Sequence, residues 1–101
     1  MDIVFGNTVV RKICQNAVGK LKRRLDDIRD ADTMEVLLTL PGRCHALVGN
    51  RKGQWAMDAE HPRRLIFRPL GNPLPVSKDG RIDLKLITAI EVIDVEDYHG
   101  K

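Results

Sequence analysis

The 101-residue sequence predicts an α+β domain, in which two helices, one of them long, pack on a mostly antiparallel sheet of about four strands. Two observations support this class. Apolar residues recur at helical spacing through the first third of the chain, and the pattern changes to strand-like alternation after Gly42. A hydrophobic content of 43% is typical of globular proteins, and the length suits one domain spanning residues 1–101.

Residues 2–6 are predicted to form a short N-terminal strand or arm, and Asn7 or Thr8 can cap the helix that follows. This helix is expected to be long and amphipathic, with a weak point at Gly19. Its apolar face consists of Val10, Ile13, Cys14, Ala17, Val18, Leu21, Leu25 and Ile28. Its basic residues are expected on a solvated face, among them Lys20, Lys22, Arg23 and Arg24.

Asp32 or Thr33 can cap a second, shorter helix, which Pro41-Gly42 would end. A glycine-flanked turn at 49–53 then predicts a hairpin, and the proline-containing segment 71–86 predicts a long connecting loop. Strand-like alternation is found in four segments, 43–48, 54–59, 63–70 and 87–95.

The net charge of +3 is unevenly distributed along the sequence. Residues 1–24 and 41–68 are rich in Lys and Arg, whereas the charged residues of 25–40 are five acids and one base. Local positive fields favour a polyanion or an acidic partner. An ordinary solvated surface explains the same charges equally well.

Several kinds of site are not indicated by the sequence. Cys14 and Cys44 are too few for a disulfide framework and are predicted to be buried thiols. There is no metal-ligand spacing, no glycine-rich phosphate loop and no nucleophile elbow, so neither a metal nor a cofactor is expected. No signal peptide and no apolar run of membrane length is present, which predicts a cytoplasmic protein without a membrane partner.

The strand at 63–70 gives the first indication of function. Alternation places Leu65 and Phe67 on one face, which would bury against the long helix. Arg64 and Arg68 fall on the other face, where two guanidinium groups can follow the phosphates of a nucleic acid. The alternative is that these arginines form salt bridges with acids of the last strand, Glu91 or Asp94.

The candidate site combines three regions that carry proton-transfer groups and cations. RNA cleavage by the neighbouring 2′-hydroxyl needs a base, an acid and cations, but neither a metal nor a protein nucleophile. Histidine suits the acid or the base because its unperturbed pKa is about 6.5, and a tyrosine can stack on an unpaired base. The alternative for His45 is that it is a structural histidine, buried and hydrogen-bonded within its strand. The candidate residues are His45, Arg51, Lys52, Arg64, Arg68, Asp97, Tyr98 and His99.

Three segments in this order resemble the HigB-type plasmid-maintenance killer toxins of the RelE/ParE superfamily: Leu40 to Trp55, Arg64 to Phe67, and Glu96 to His99. The resemblance spans residues 20–100. It implies a RelE-like α+β fold and a metal-independent endoribonuclease that cleaves mRNA on the ribosome. It also implies a cognate antitoxin, often with a helix-turn-helix domain, which neutralises the toxin and represses their shared operon. DNA would then be contacted only through the antitoxin.

The resemblance also assigns roles to individual residues. It implies that activity is carried by a catalytic set of His45, Arg64, Asp97, Tyr98 and His99. Val48 stands where these toxins commonly have a functional lysine, and Arg51 or Lys52 in the neighbouring turn can replace that charge. Because of Val48, a non-catalytic module of the same fold, which poisons gyrase or only binds an antitoxin, is the alternative. An unrelated basic RNA-binding domain is a third interpretation.

Overall fold

Five strands and three α-helices make up residues 1–97, the part of the chain that the computed structural model describes. In chain order they are β1 (Asp2–Phe5), α1 (Thr8–Gln15), α2 (Gly19–Asp30), α3 (Met34–Leu37), β2 (His45–Ala46), β3 (Trp55–Asp58), β4 (Arg63–Pro69) and β5 (Ala89–Asp97). The sheet has the order β1-β5-β4-β3-β2. β1 runs parallel to β5 and the other neighbours are antiparallel. The predicted α+β class is confirmed, with one strand more than the four expected.

The single long helix of the prediction is in fact two helices, α1 and α2. Asn7 caps α1 as predicted, since its side-chain oxygen accepts a hydrogen bond from the Val10 amide at 2.9 Å. Gly19 has a φ of 63°, in the left-handed region, so a right-handed helix cannot continue through it. The chain is extended at Val18, whose side chain was expected on the apolar face but is 73% exposed.

β2 is also shorter than predicted, with two residues in place of the segment 43–48. Arg43 has a φ of 50°, which turns the chain immediately before the strand. After Leu47 the chain enters a 3₁₀ turn at Gly49–Arg51, so pairing cannot extend further. The later strands lie close to their predicted positions, and β5 continues to Asp97.

All three helices lie on one side of the sheet. Leu65 and Phe67 are fully buried in a core that includes Leu21, Leu25 and Ile28 of α2, which confirms the predicted facing of β4. The 71–86 segment belongs to the same side, because it packs against this core through Leu74, Ile82 and Leu84. The other side of the sheet therefore carries no helix among residues 1–97.

Arg24 of α2 is buried, with 9% of its surface exposed, and does not lie on the solvated face expected for it. Its Nε donates to the Asp58 carbonyl oxygen at 2.9 Å, and its Nη1 donates to the Asp27 carboxylate at 3.4 Å. Arg24 therefore joins α2 to the end of β3. Within residues 1–97, no helix has the length and apolarity needed to cross a membrane.

Replacing Arg24 by alanine should lower the free energy of unfolding by about 2 kcal/mol, because the partly buried Asp58 carbonyl oxygen loses its donor. The matched control is Arg23→Ala, which removes the same side chain from an exposed position of the same helix and should change stability by no more than about 0.5 kcal/mol. Urea unfolding measures both. Equal losses in the two variants would show that the Arg24 contacts do not stabilise the fold.

Candidate functional site

The helix-free side of the sheet, which we call the open face, carries four of the eight predicted site residues: His45, Arg51, Arg64 and Arg68. The strand register aligns His45, Ala56, Ile66 and Asp94 in one row across four strands. The adjacent row consists of Asp58, Arg64 and Glu96. Ala56 and Ile66 are fully buried in the middle of this face. The open face thus has an apolar floor surrounded by charged side chains.

A β-bulge in β5 determines which acids lie on the open face. Ile66 pairs with Asp94 and Phe67 with Val92, so Ile93 is the extra residue. In a regular strand Glu91 and Glu96, five positions apart, would point to opposite sides of the sheet. The extra residue of the bulge shifts the alternation by one position, so both point to the same side. As a result, Glu91, Asp94 and Glu96 are all directed toward the open face.

His45 is held in a defined orientation by its own backbone neighbour. Its Nδ1 lies 2.5 Å from the Arg43 carbonyl oxygen. A carbonyl oxygen only accepts hydrogen bonds, so Nδ1 must be the protonated nitrogen of the ring. In the neutral imidazole, Nε2 then carries the lone pair and can accept a proton. The half-buried His45 thus has the hydrogen bond that a structural role requires, and its Nε2 has the lone pair that a catalytic base would need.

Glu96 binds two of the predicted RNA-contacting arginines at once. Its Oε1 accepts from Arg64 Nε at 3.0 Å and from Arg64 Nη2 at 2.7 Å. Its Oε2 accepts from Arg51 Nη2 at 2.8 Å. Arg51 also donates to the Gln54 side chain at 3.0 Å. Because Arg51 lies in the β2–β3 turn, its bond to β5 spans the width of β3 and β4.

Arg68, the third predicted phosphate ligand, pairs with Glu91 at 2.6 Å. The alternative of salt bridging to the last strand is thus confirmed for Arg68 with the expected partner. Arg64 also forms a salt bridge with the last strand, but its partner is Glu96 and not the expected Glu91 or Asp94. The guanidinium groups of the open face are accordingly neutralised by internal carboxylates, so an RNA phosphate would have to compete with these ion pairs.

Asp58 is an acid of this site that the sequence did not indicate. Its Oδ2 accepts from Arg43 Nε at 2.6 Å, and its Oδ1 is buried without a hydrogen-bond partner among the described residues. The register places it beside Arg64 on the neighbouring strand. Neither Asp58 nor Glu96 could be selected before the antiparallel register was known, because both look like ordinary strand acids in sequence.

The remaining predicted residues fall in different places. Lys52 is exposed in the turn and makes no ion pair within residues 1–97. Val48 is 85% exposed, so the position that departs from the toxin pattern is accessible but apolar. Asp97 is exposed and pairs in register with Arg63, which by alternation is the side of the sheet opposite Arg64. Tyr98 and His99 lie outside the described residues.

Both cysteines are free, and their thiols are poorly suited to nucleophilic chemistry. Burial raises the pKa of the Cys44 thiol to about 12, and it also raises the pKa of Cys14. The reactive thiolate is therefore scarce at neutral pH. Among residues 1–97 there is no cluster of His, Cys, Asp or Glu suited to a metal ion, and no enclosed pocket.

The raised thiol pKa values predict slow labelling and a loss of stability in alkali. At pH 8 a thiol reagent should modify native Cys14 and Cys44 at least about tenfold more slowly than in the unfolded chain, because the thiolate is disfavoured. The protonated Cys44 thiol also contributes to folding stability, because its pKa is higher in the folded chain than in the unfolded one. This contribution is complete below about pH 9 and declines as the pH rises toward 12. Labelling rates with and without urea, and urea unfolding at pH 8 and 10, test this. Rapid native labelling would contradict it.

The described part of the chain thus has a small α+β fold with one helix-free sheet face, and a solved structure shares this fold. The chain is similar to the YoeB/ParE toxin from Agrobacterium tumefaciens, with a TM-score of 0.62 and 17% sequence identity over 98% of this chain and 100% of that chain. No protein-family model and no curated protein matches the sequence. At this identity the likeness establishes a shared fold, and the HigB subtype stays a prediction.

Proposed function

We propose that this chain is the toxin of a toxin–antitoxin pair and that it cleaves mRNA on the ribosome without a metal. The observation that carries the proposal is the arrangement of His45 on the open face, with Nδ1 bound to a carbonyl oxygen and Nε2 left to accept a proton. The full-length fold similarity to a YoeB/ParE toxin supports the general class. The cluster of Arg51 and Arg64 on the same face supports an anionic substrate.

In the proposed reaction, His45 Nε2 takes the proton from the 2′-hydroxyl, whose oxygen attacks the adjacent phosphorus. General base catalysis of this kind contributes roughly 10²–10⁴-fold to the rate. Arg64 and Arg51 donate to the phosphate oxygens as negative charge develops on the phosphorane, and each such donor is worth about 10²–10³-fold. The 5′-oxygen leaves with a proton from the terminal segment. This segment contains Tyr98 and His99, which the resemblance includes in the catalytic set.

The proposed partners follow from this chemistry. Because His45, Arg51 and Arg64 lie on the open face, the RNA would lie along an open surface. A ribosome would then hold the mRNA in place, which the small site cannot do alone. A cognate antitoxin, of the helix-turn-helix type that the resemblance implies, would block the open face, and DNA contact would occur only through that antitoxin.

The proposal is tested by expressing the chain with and without the neighbouring reading frame and mapping mRNA ends. Expression alone should arrest growth, and co-expression should restore it. In a translation extract, primer extension should show new mRNA ends within codons, and ribosome-free RNA should stay intact. Intact mRNA in both settings would contradict the proposed activity.

A second candidate is a non-catalytic module of the same fold, and two observations favour it. Glu96 occupies both guanidinium groups that would bind the phosphate, and Val48 provides no charge where the related toxins have a lysine. Such a module would arrest growth with intact mRNA, accompanied by DNA damage if it poisons gyrase. It would cause no arrest at all if it only binds an antitoxin.

A further inference from the structure

The carboxylate of Glu96 is held differently from that of Glu91, the other ion-paired glutamate of the open face. It accepts three hydrogen bonds from two arginines, at 2.7, 2.8 and 3.0 Å. Glu91 lies on the same strand and its side chain is equally exposed, at 21%, but within residues 1–97 it pairs with Arg68 alone. The difference between the two glutamates is therefore the convergence of a second guanidinium group, delivered from the β2–β3 turn.

Two guanidinium groups that converge on one small anion form a site for any anion of similar shape. A phosphodiester resembles a carboxylate in carrying one negative charge on two terminal oxygens, and it accepts the same forked hydrogen bonds. Arg64 would keep a neighbouring charge partner if Glu96 left, because Asp58 is beside it in register. The site can thus exchange its anion without leaving Arg64 surrounded only by cations.

We propose that Glu96 is a built-in competitor that occupies the phosphodiester site formed by Arg51 and Arg64. A nucleic-acid phosphate binds this pair only by displacing the Glu96 carboxylate, which swings toward solvent. This proposal rests on the proposed function for the class of its ligand, a single-stranded RNA backbone. It assigns Glu96 a regulatory role and does not make it a catalytic residue.

The consequence is a weakened apparent affinity. If Arg51 and Arg64 are open in only a small fraction of molecules, the apparent dissociation constant rises by the inverse of that fraction. A free RNA that binds the protein only weakly would not displace the Glu96 carboxylate. An mRNA that is held against the open face by additional interactions would displace it. The internal ion pair would thereby suppress cutting of free RNA.

The test uses a fluorescent single-stranded oligonucleotide with 2′-deoxy sugars, which cannot be cleaved by 2′-hydroxyl attack, and measures its binding by anisotropy over a salt series. Glu96→Gln should tighten binding about tenfold at low salt, because the open fraction approaches one. Its salt slope should steepen by about 0.7, because one more phosphate is neutralised. The matched control is Glu91→Gln, which makes the same charge change on the same strand and should tighten binding by no more than about threefold.

A second variant separates position from charge. Glu96→Asp keeps the negative charge but retracts it by one methylene, so the carboxylate no longer reaches both arginines well, and binding should still tighten. Adding Arg51→Ala to Glu96→Gln should abolish most of the increase in affinity. Equal increases in Glu96→Gln and Glu91→Gln, or no increase in Glu96→Asp, would overturn the proposal in favour of general electrostatics. Weaker binding by Glu96→Gln would overturn it in favour of a purely positioning role for Glu96.

The outcome is independent of whether the chain cleaves RNA. If Glu96→Gln and Glu96→Asp bind the uncleavable oligonucleotide more tightly while the wild type leaves mRNA intact, the competitor role stands and the proposed nuclease function fails. If mRNA is cut but the variants bind the oligonucleotide as the wild type does, the nuclease function stands and the competitor role of Glu96 fails. Thermal unfolding of each variant confirms that the binding assays use folded protein.

Discussion

Replacing His45 by alanine should reduce the proposed mRNA cleavage in a translation extract by about 10²–10⁴-fold, because the proposed reaction would lose its general base. The structure gives this expectation its physical basis. The Nδ1 hydrogen bond to the Arg43 carbonyl oxygen fixes the tautomer that leaves a lone pair on Nε2. Cut sites are quantified by primer extension at early times, with the amount of folded protein matched between variants.

Two control variants separate the chemical role of His45 from a structural one. His45→Asn places an amide nitrogen near the position of Nδ1, so the bond to the Arg43 carbonyl oxygen can persist while the base is lost. It should be as inactive as His45→Ala. His61→Ala removes an exposed histidine from the turn before β4 and should retain activity. Full activity in His45→Asn would mean that His45 only positions the backbone.

Replacing Gly42 by alanine should lower the free energy of unfolding by about 3 kcal/mol, through backbone strain and overpacking together. Gly42 has a φ of 118°, which side-chain-bearing residues rarely adopt. An added Cβ would lie 2.9 Å from Arg24 Nε and 3.2 Å from the Met57 methyl group. The Gly42 carbonyl oxygen also accepts from the Asp58 amide at 2.7 Å, so a shift there disturbs β3.

The matched control is Gly80→Ala. Gly80 has a φ of 83°, and nothing lies within 4 Å of an added Cβ. It therefore carries the conformational cost alone, which should be about 1 kcal/mol. The difference between the two variants in urea unfolding isolates the steric contribution at Gly42. Equal losses would show that Arg24 and Met57 move aside without cost.

The sequence predicted the fold class because the apolar periodicities are local properties of each segment. It failed to separate α1 from α2, since Val18 and Leu21 continue the apolar spacing of α1, whereas the backbone is extended at Val18 and left-handed at Gly19. The parallel pairing of β1 with β5 was also outside its reach, because no local signal connects Ile3 with Ile90. Long-range strand pairing and the backbone conformations of Val18 and Gly19 decided these features.

For the candidate site, the residue types were predictable but the partners were not. His45, Arg64 and Arg68 lie on the open face, because strand alternation fixes their side, and Arg51 reaches the same face from the β2–β3 turn. The bulge at Ile93 shifts the alternation of side chains along β5 by one position. The sequence therefore could not show that Glu91 and Glu96 lie on the same face. The pairing of Arg51 with Glu96 across the sheet depends on tertiary structure alone.

The place of β5 in the sheet also determines when this protein can begin to act. β5 is flanked by β1, from the start of the chain, and by β4, so the sheet cannot close until nearly all of the described chain is available. Such distant pairing is typical of slow folding, since loop entropy is lost before the strands pair. Glu96, Arg64 and Arg51 come together only in that last step. A chain still emerging from the ribosome would therefore lack the assembled site until Glu96 has emerged.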